Sequence, residues 1–237
     1  MEWIRAQAIS HRGLHNGGSI PENSISAFAE AIQKNHPIEL DVQLLADGEL
    51  AVFHDKDLDR MTGEEGKIAD QTLHTIHRFK LFGTKQYIPS LAEALKFING
   101  RVPVIIEIKN EGNVGPLEAA LLRQVATYKG EFAVQSFNPY SLGWFKNNAP
   151  HICRGQLSSN FKGEALTWHT KFLLSNLLLN KVSAPHFIAY DLNALPTMPT
   201  TATRRLLGAP LVAWTVRSQS DRQKAVRVAD NYIFDPF

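Results

Sequence analysis

The sequence predicts an α/β fold of the TIM (β/α)8 barrel class. Short apolar segments typical of strands alternate from end to end with amphipathic segments typical of helices, and this alternation indicates a parallel sheet. Eight strands with helices between them in 237 residues give roughly 30 residues per repeat, a normal size for one strand–helix–strand step. The total is close to the ~250 residues typical of this barrel. A doubly wound open sheet is the alternative, because the pattern alone separates the two poorly.

The order of the elements follows from the spacing of the apolar residues. Strands are predicted at 7–10, 37–44, 102–108, 132–137, 151–157, 187–192, 211–216 and 232–235. Helices are predicted at 24–34, 90–98, 115–128, 140–147, 164–180, 201–207 and 220–229. Ser24 and Ser90 are the expected N-caps, and Glu93 stands at capping-box spacing from Ser90. A further strand at 49–53 is expected to form a hairpin with the second strand.

The domain organisation is expected to be simple. The segment from about 55 to 87 is polar and weakly periodic, which predicts a short insertion of loops and helix after the second strand. No linker or internal repeat interrupts the chain, so we expect a single domain over 1–237. The apolar helix at 164–180 is expected to pack on the strands, with an exposed apolar surface as the alternative.

The composition excludes several classes of function. Lys and Arg number 25 against 23 Asp and Glu, too balanced for a nucleic-acid binder that neutralises phosphates. The single cysteine, Cys153, excludes an intrachain disulfide and a multi-cysteine zinc site, and it is typical of a reducing compartment. No signal peptide is evident, and no apolar run approaches the ~20 residues of a membrane span. We therefore expect a cytoplasmic protein without a transmembrane segment; nothing indicates its oligomeric state.

Two predicted strands carry charged residues where parallel strands are normally apolar. Glu39 and Asp41 are two residues apart and share one face, as do Glu107 and Lys109. In a barrel this face would be the interior, near the catalytic end; solvated edge strands are the alternative. Three converging carboxylates would repel one another, so we predict a bound Mg²⁺ or Ca²⁺, which prefer oxygen ligands.

Two of the nine histidines follow predicted strands directly. His11 comes after the first strand, and His54 comes after the hairpin strand at 49–53. Both positions are where a barrel strand meets its functional loop. Because histidine titrates near neutrality, the two are candidates for a catalytic acid and base.

An ordered set of motifs runs through nearly the whole chain. In order they are His11-Arg12-Gly13, Pro21-Glu22-Asn23-Ser24 with Ala27-Phe28, Glu39-Leu40-Asp41-Val42-Gln43, Asp47-Gly48, Val52-Phe53-His54-Asp55, Leu58-Asp59-Arg60, Pro89-Ser90-Leu91, Ile106-Glu107-Ile108-Lys109, Gln135-Ser136-Phe137 and Ala213-Trp214-Thr215-Val216. Together they resemble the glycerophosphodiester phosphodiesterase family. The resemblance implies a TIM barrel with a short insertion after the second strand.

The resemblance also implies roles for individual residues. It implies a Mg²⁺ or Ca²⁺ ion held by three carboxylates and a pair of histidines acting as acid and base. It further implies that Arg12 and Lys109 contact the phosphate and that Trp214 lines the pocket for glycerol. The implied metal ligands are Glu39, Asp41 and Glu107, and the implied acid–base pair is His11 and His54. Residue-level reasoning alone gives no independent reason to select Trp214.

The sequence departs from the family pattern in two places. Met61-Thr62-Gly63 stands where the family often has two threonines, and the last strand ends in Ile233-Phe234-Asp235-Pro236. These departures leave the metal and histidine positions intact, but they put substrate preference in doubt. Asn23 is interpreted as a turn residue, and Glu22 as a structural ion-pair partner of Arg12.

The activity implied by the resemblance is that of a phosphoric diester hydrolase. It would convert small-molecule glycerophosphodiesters to glycerol 3-phosphate and an alcohol. The alternatives are a lysophospholipase D-like or other lipid phosphodiesterase, and a non-catalytic phosphodiester-binding protein on the same barrel. No motif offers an activated Ser, Thr or Cys, so attack by the substrate's own neighbouring hydroxyl is the predicted route. Direct attack by water is the alternative.

Overall fold

The computed structural model describes residues 2–110 and 112–237, which fall into two compact units. The N-terminal unit comprises residues 10–132 and Pro236, and the C-terminal unit comprises residues 2–9, 133–235 and Phe237. The predicted single domain over 1–237 stays a prediction. Each unit is described separately below.

Parallel strands alternate with helices along the described chain. The strands are β1 (Ile9–Ser10), β2 (Ile38–Leu44), β3 (Leu50–Val52), β4 (Val104–Ile108), β5 (Phe132–Ser136), β6 (Cys153–Ser158), β7 (Phe187–Asp191), β8 (Leu211–Val216) and β9 (Asn231–Phe234). All except β3 pair in parallel with a neighbour. The eight parallel strands and their order confirm the predicted (β/α)8 barrel class.

The helices occupy most of the predicted positions. They are α1 (Trp3–Ala6), α2 (Ile25–Gln33), α3 (Asp59–Thr62), α4 (Leu73–Ile76), α5 (Leu91–Ile98), α6 (Pro116–Val125), α7 (Pro139–Asn148), α8 (Trp168–Ser175), α9 (Asn180–Ser183), α10 (Met198–Leu207) and α11 (Gln219–Val228). The predicted caps are confirmed: Ser24 Oγ accepts from the Ala27 amide, and Ser90 and Glu93 form a capping box. The four-residue helix α1 was not expected, because one turn is too short to show a helical period.

The N-terminal unit is arranged around β2. Ser10 of β1 pairs with Ile38 on one side of β2, and β4 runs parallel to β2 over its whole length. The short strand β3 pairs antiparallel with the end of β2, which confirms the predicted hairpin. The predicted insertion follows β3 and contains α3, α4 and two 3₁₀ turns. It packs against residues of and beside the hairpin in one buried apolar cluster: Leu45, Ala51, Phe53, Leu58, Met61, Ile68, Ile76, Leu81 and Ile88.

The C-terminal unit holds five consecutive parallel strands, β5 to β9. Its core lies between these strands and α11. The buried cluster consists of Leu177, Ile188, Tyr190, Leu192, Leu195, Leu211, Ala213, Val216 and Ala225. None of the helices in the described ranges combines the length and the hydropathy that crossing a bilayer requires.

One predicted helix is wrong. In place of a helix over 164–180, α8 ends at Ser175 and a separate turn of helix, α9, follows at Asn180. The break comes where Leu177 adopts a left-handed φ of 57° and inserts its side chain into the core. The expected packing on the strands is also wrong for α8, because none of its residues is buried.

Candidate active site

Three carboxylates meet in the N-terminal unit. The parallel register of β2 and β4 places Asp41 directly opposite Glu107, and Glu39 lies two residues earlier on the same face of β2. One carboxylate oxygen from each residue lies within 4.8 Å of the others. Glu39 and Asp41 are each 1% exposed and Glu107 is 7% exposed. The predicted convergence of the three carboxylates is confirmed. Their burial contradicts the alternative that they lie on solvated edge strands.

These carboxylates have strongly perturbed acidities. Burial raises the pKa of Glu39 well above its usual range, and the charges of Asp41 and Glu107 raise it further. Burial also raises the pKa of Glu107, against the opposing effect of Lys109. Burial acts in the same sense on Asp41, but Lys109 and Arg12 outweigh it and hold its pKa well below the usual range. Repulsion among the three is therefore only partly offset by the two cations.

Both predicted phosphate-binding cations contact this cluster. Lys109 Nζ donates to Glu107 Oε1 at 3.0 Å and lies 3.7 Å from Asp41 Oδ1. Arg12 Nε lies 3.3 Å from Asp41 Oδ2, and the Arg12 amide donates to Glu39 Oε2 at 3.1 Å. Although burial favours the neutral form of Lys109, Glu107 and Asp41 raise its pKa above the ordinary value.

A strained turn brings Arg12 to the carboxylates. Arg12 and Gly13 follow β1 with positive φ of 54° and 79°. A Cβ atom on Gly13 would lie 2.9 Å from the backbone of Ala27 in α2, so only glycine fits at this position. The turn is closed by the Leu14 amide, which donates to the Ala27 carbonyl at 3.0 Å.

The two predicted catalytic histidines lie in the same unit. His11 Nε2 is 4.0 Å from Glu39 Oε2. His54 follows β3, and its Nδ1 is 2.7 Å from Asp55 Oδ1. Burial lowers the pKa of His54 below its ordinary value of 6.5, and the positive charges of Lys109 and Arg12 also lower it. The negative charges of Asp41 and Asp55 oppose this shift only in part.

A chain of ion pairs connects the two sides of the site. Arg60 Nε donates to Asp55 Oδ2 at 2.5 Å, and the guanidinium NH2 group of Arg60 donates to Glu22 Oε1 at 2.7 Å. Glu22 Oε1 also accepts from Arg12 NH1 at 2.7 Å. The predicted pairing of Glu22 with Arg12 is thus confirmed. Arg60 extends it to Asp55 and so to His54.

Residues 11–234 match the Glycerophosphoryl diester phosphodiesterase family. The chain belongs to this family. It is therefore a phosphoric diester hydrolase, as the motifs indicated, and family membership argues against a non-catalytic binding protein.

Similar proteins cover almost the whole chain. A glycerophosphodiester phosphodiesterase of Caldanaerobacter subterraneus is 32% identical over 244 residues, covering 98% of this chain and 95% of the relative. Among solved structures, an Oleispira antarctica phosphodiesterase in complex with the product sn-glycerol-3-phosphate has a TM-score of 0.81 at 24% identity, covering 97% of this chain and 92% of that one. A glycerophosphodiester phosphodiesterase of Thermotoga maritima has a TM-score of 0.74 at 24% identity, with 97% and 94% covered. The two structures show likeness of fold.

The carboxylate cluster fits a hard divalent cation. All three ligand candidates offer oxygen, the donor that Mg²⁺ and Ca²⁺ prefer. Asp41 Oδ1 is buried and makes no hydrogen bond with any described residue. Lys109 Nζ is its cationic neighbour at 3.7 Å, beyond hydrogen-bond distance, so this oxygen still has lone pairs to offer a metal ion. The family is divalent-cation dependent in general, and this phosphodiesterase has a donor set of the matching kind.

Sequence reasoning missed the role of Asn23. Asn23 lies in a turn, as predicted, but its side chain also reaches the carboxylate cluster, where Asn23 Nδ2 donates to Asp41 Oδ2 at 2.8 Å. Its own φ is 53°, and its amide donates to the Arg12 carbonyl at 2.9 Å. The residue therefore holds a candidate metal ligand and the Arg12 turn together. The motif Pro21-Glu22-Asn23-Ser24 is the available signal, but its local turn chemistry alone gives no indication of the contact with Asp41.

Gln43 is a further positioning residue of the same face. It lies two residues beyond Asp41 on β2, and its Nε2 donates to the carbonyls of Phe53 at 3.0 Å and Asp55 at 2.6 Å. These bonds fix the backbone on both sides of His54. The alternation of polar residues along β2 places Gln43 on the face that carries Glu39.

Trp214 lies on β8 in the C-terminal unit. Its ring packs edge-to-face on Phe137, with the ring centroids 5.5 Å apart. Its indole Nε1 is buried and makes no hydrogen bond with a described residue. The predicted contact with the glycerol moiety stays a prediction.

Proposed function

We propose that this phosphodiesterase hydrolyses glycerophosphodiesters to glycerol 3-phosphate and an alcohol, using His11 and His54 as the acid–base pair. The observation that carries the proposal is the meeting of three buried carboxylates with two cations and two histidines in one unit. Clusters of strongly perturbed ionisable groups of this kind are typical of active sites.

Glu39, Asp41 and Glu107 would hold the divalent cation. When bound, the cation supplies positive charge that stabilises the negative charge developing on the phosphoryl oxygens. Arg12 and Lys109 border the cluster, at 3.3 Å and 3.7 Å from Asp41. They would bind the remaining phosphoryl oxygens and orient the diester.

His54 is suited to the role of general base. Its lowered pKa leaves the ring neutral at pH 7. Arg60 and His54 lower the pKa of Asp55, so its carboxylate is ionised. The ionised carboxylate accepts the hydrogen bond from His54 Nδ1. The tautomer this favours carries its lone pair on Nε2, which is then free to accept a proton from the nucleophile.

His11 takes the complementary role of general acid. It follows β1 directly, and its Nε2 lies 4.0 Å from Glu39. Proton transfer by one such group typically contributes about 10²- to 10⁴-fold to the rate.

The nucleophile we propose is the hydroxyl on C2 of the substrate's own glycerol. Its oxygen forms a bond to phosphorus, His54 accepts its proton, the bond from phosphorus to the alcohol oxygen breaks, and His11 protonates that oxygen. Water then opens the cyclic glycerol phosphate, with the two histidines exchanging roles. The intramolecular first step gains from high effective molarity.

The direct test is an assay of glycerol 3-phosphate release from glycerophosphodiesters with different head groups, with and without a chelator. We expect release with added Mg²⁺ or Ca²⁺ and loss of release on chelation. His11→Ala and His54→Ala should each lower turnover by about 10²-fold or more, with unchanged thermal unfolding. Full turnover by the chelated enzyme, or by either histidine variant, would contradict the proposal.

The lipid phosphodiesterase alternative has one observation in its favour. The two aromatic residues of α8, Trp168 and Phe172, are exposed instead of packed on the strands. Including a lysophospholipid beside the water-soluble diesters in the same assay separates the two activities. A higher kcat/KM for the lysophospholipid would make the lipid the substrate of the site.

A further inference from the structure

The chain segment that connects β6 to β7 forms a surface that the proposed catalysis does not use. Ten large apolar side chains are exposed among the described residues, and four of them fall within the short segment 166–178. They are Leu166 at 40% exposure, Trp168 at 79%, Phe172 at 54% and Leu178 at 51%. Scattered exposed apolar residues are ordinary, but clustered ones mark a site of interaction. We name these four residues the 166–178 surface.

The two aromatic residues of this surface lie on one face of α8. Trp168 and Phe172 are four residues apart, so their side chains project from successive turns in the same direction. Thr167 caps the helix by accepting from the Thr170 amide. An eight-residue helix is marginal in water without tertiary packing of an apolar face, and yet this helix turns its largest apolar residues outward.

Polar bonds at its carboxyl end hold α8 in place. Ser158 Oγ donates to the Leu174 carbonyl at 2.8 Å, and the Tyr190 hydroxyl donates to the Ser175 carbonyl at 3.0 Å. Leu177, just beyond, is buried in the core. Ser158 ends β6 and Tyr190 is near the end of β7, so α8 lies at the carboxyl ends of these strands. TIM barrels bind their substrates at the carboxyl ends of their strands.

Basic residues flank the apolar ones. Lys162, Lys171 and Lys181 lie on or beside the segment, and Glu164 is the only acidic residue between 159 and 190. The imbalance extends along the chain. Residues 133–237 contain 11 Lys and Arg against 5 Asp and Glu, whereas residues 1–132 contain 14 against 18. The exposed apolar cluster therefore belongs to the basic part of the sequence.

We propose that the 166–178 surface docks on an anionic lipid bilayer. Tryptophan, phenylalanine and leucine at the membrane interface bury apolar area among the headgroups and upper acyl chains, while lysines contact the anionic headgroups. The segment supplies both parts of this recognition. Docking is an additional property of the enzyme and does not depend on the roles proposed for the catalytic residues.

The charge of the segment also disfavours a second copy of the chain as the occupant. In a two-fold dimer the same patch meets itself. The basic residues Lys162, Lys171 and Lys181 of one copy would then face those of the other, and such like-charge contacts oppose association. An anionic lipid surface has the complementary charge.

The test is flotation of the enzyme with vesicles containing equal parts of phosphatidylglycerol and phosphatidylcholine. The parent is expected to bind these vesicles, to bind phosphatidylcholine vesicles much more weakly, and to dissociate as salt is raised. Trp168→Ala combined with Phe172→Ala should weaken binding at least about tenfold. Tyr140→Ala is the matched control, because Tyr140 is an aromatic residue on α7 with an exposure of 58%, close to that of Phe172; it should bind like the parent.

A second variant tests the electrostatic part. Lys162→Gln combined with Lys181→Gln should weaken binding to the anionic vesicles and reduce its salt dependence, since fewer charges then face the headgroups. Turnover of a water-soluble glycerophosphodiester should be unchanged in every variant. Vesicle binding is measured without turnover, so failure of docking and failure of the proposed hydrolysis give separate results.

Three results would overturn docking. The first is that the parent does not bind anionic vesicles at low salt. The second is that the Trp168→Ala, Phe172→Ala double variant binds as tightly as the parent. The third is a dimer of the parent in sedimentation equilibrium that this double variant dissociates, which would make the surface a contact between copies of the chain.

Discussion

His54 and Asp55 are neighbours in sequence, and their side chains are hydrogen-bonded to each other, with Nδ1 of His54 2.7 Å from Oδ1 of Asp55. Asp55 is in turn held by Arg60, and Arg60 by Glu22. Because Glu22 also accepts from Arg12, the proposed base and the proposed phosphate-binding residue are joined by one chain of charged side chains. Small changes within this chain should therefore alter the chemistry without unfolding the protein.

Asp55→Asn should lower kcat while leaving the fold intact. Without the carboxylate, the ring of His54 loses both its orientation and the partner that stabilises its charge, and we expect kcat to fall about 10- to 100-fold. The pKa of His54, already below 6.5, should fall further. As the base must be neutral to act, the acidic limb of the pH–kcat profile should move to lower pH.

Asp57→Asn is the control for this prediction, because Asp57 is an exposed aspartate two residues away. It should leave both kcat and the acidic limb unchanged. An acidic limb that stays in place in Asp55→Asn would show that the limb reports a group other than His54.

Gly13→Ala should destabilise the protein and abolish activity. A positive φ costs an L-residue about 1–2 kcal/mol, and the new Cβ would lie 2.9 Å from the Ala27 backbone, which adds about 1–3 kcal/mol of overpacking. Gly17→Ala is the matched control. Gly17 has a similar φ of 71° but no atom within 4 Å of the added Cβ, so only the first cost applies. Denaturant unfolding that gave equal losses would contradict the packing argument.

The regular elements were predictable because their signals are local. The start of the helix predicted at 90–98 is indicated by the capping-box residues Ser90 and Glu93, and its buried face is indicated by the spacing of its apolar residues. The segment 164–180 offered an equally apolar sequence, yet its course is set by distant partners. The Ser158 hydroxyl donates to the Leu174 carbonyl, and the Tyr190 hydroxyl donates to the Ser175 carbonyl. No local sequence pattern reveals such contacts.

The same distinction applies to the site. The carboxylates could be predicted because charge on a parallel strand is conspicuous, and because residues two apart must share a face. The role of Asn23 could not be predicted, because its hydrogen bond to Asp41 spans 18 positions. The tendency of asparagine to form turns already explains its presence at this position. Arg60 likewise acts through Glu22, 38 positions away.

Glu39→Gln should uncouple stability from cation binding. Saturating Mg²⁺ or Ca²⁺ is expected to raise the Tm of the parent, since a ligand at 100 times its Kd stabilises a protein by about 2.7 kcal/mol. The variant should lose most of this rise together with activity. In chelator, its Tm should equal or exceed that of the parent, because a buried charge beside Asp41 and Glu107 has been removed.

Glu65→Gln, an exposed site in the insertion, is the control for this experiment. Its Tm should rise with the cation as the parent's does. If the cation raised the Tm of Glu39→Gln as much as that of the parent, the cation would bind away from the carboxylate cluster.

The route of the reaction can be tested with a substrate that lacks the hydroxyl on C2 of glycerol. If that hydroxyl is the nucleophile, the deoxy analogue should bind with similar affinity, because Arg12 and Lys109 still meet an intact phosphodiester. Its turnover at saturation should nevertheless fall by orders of magnitude, since an intramolecular attack of high effective molarity has been removed. The parent reaction should also yield a transient cyclic glycerol phosphate, detectable by ³¹P NMR in a single turnover. Equal turnover of the analogue and the parent substrate would instead establish direct attack by water, with His54 deprotonating that water and His11 still protonating the departing alcohol.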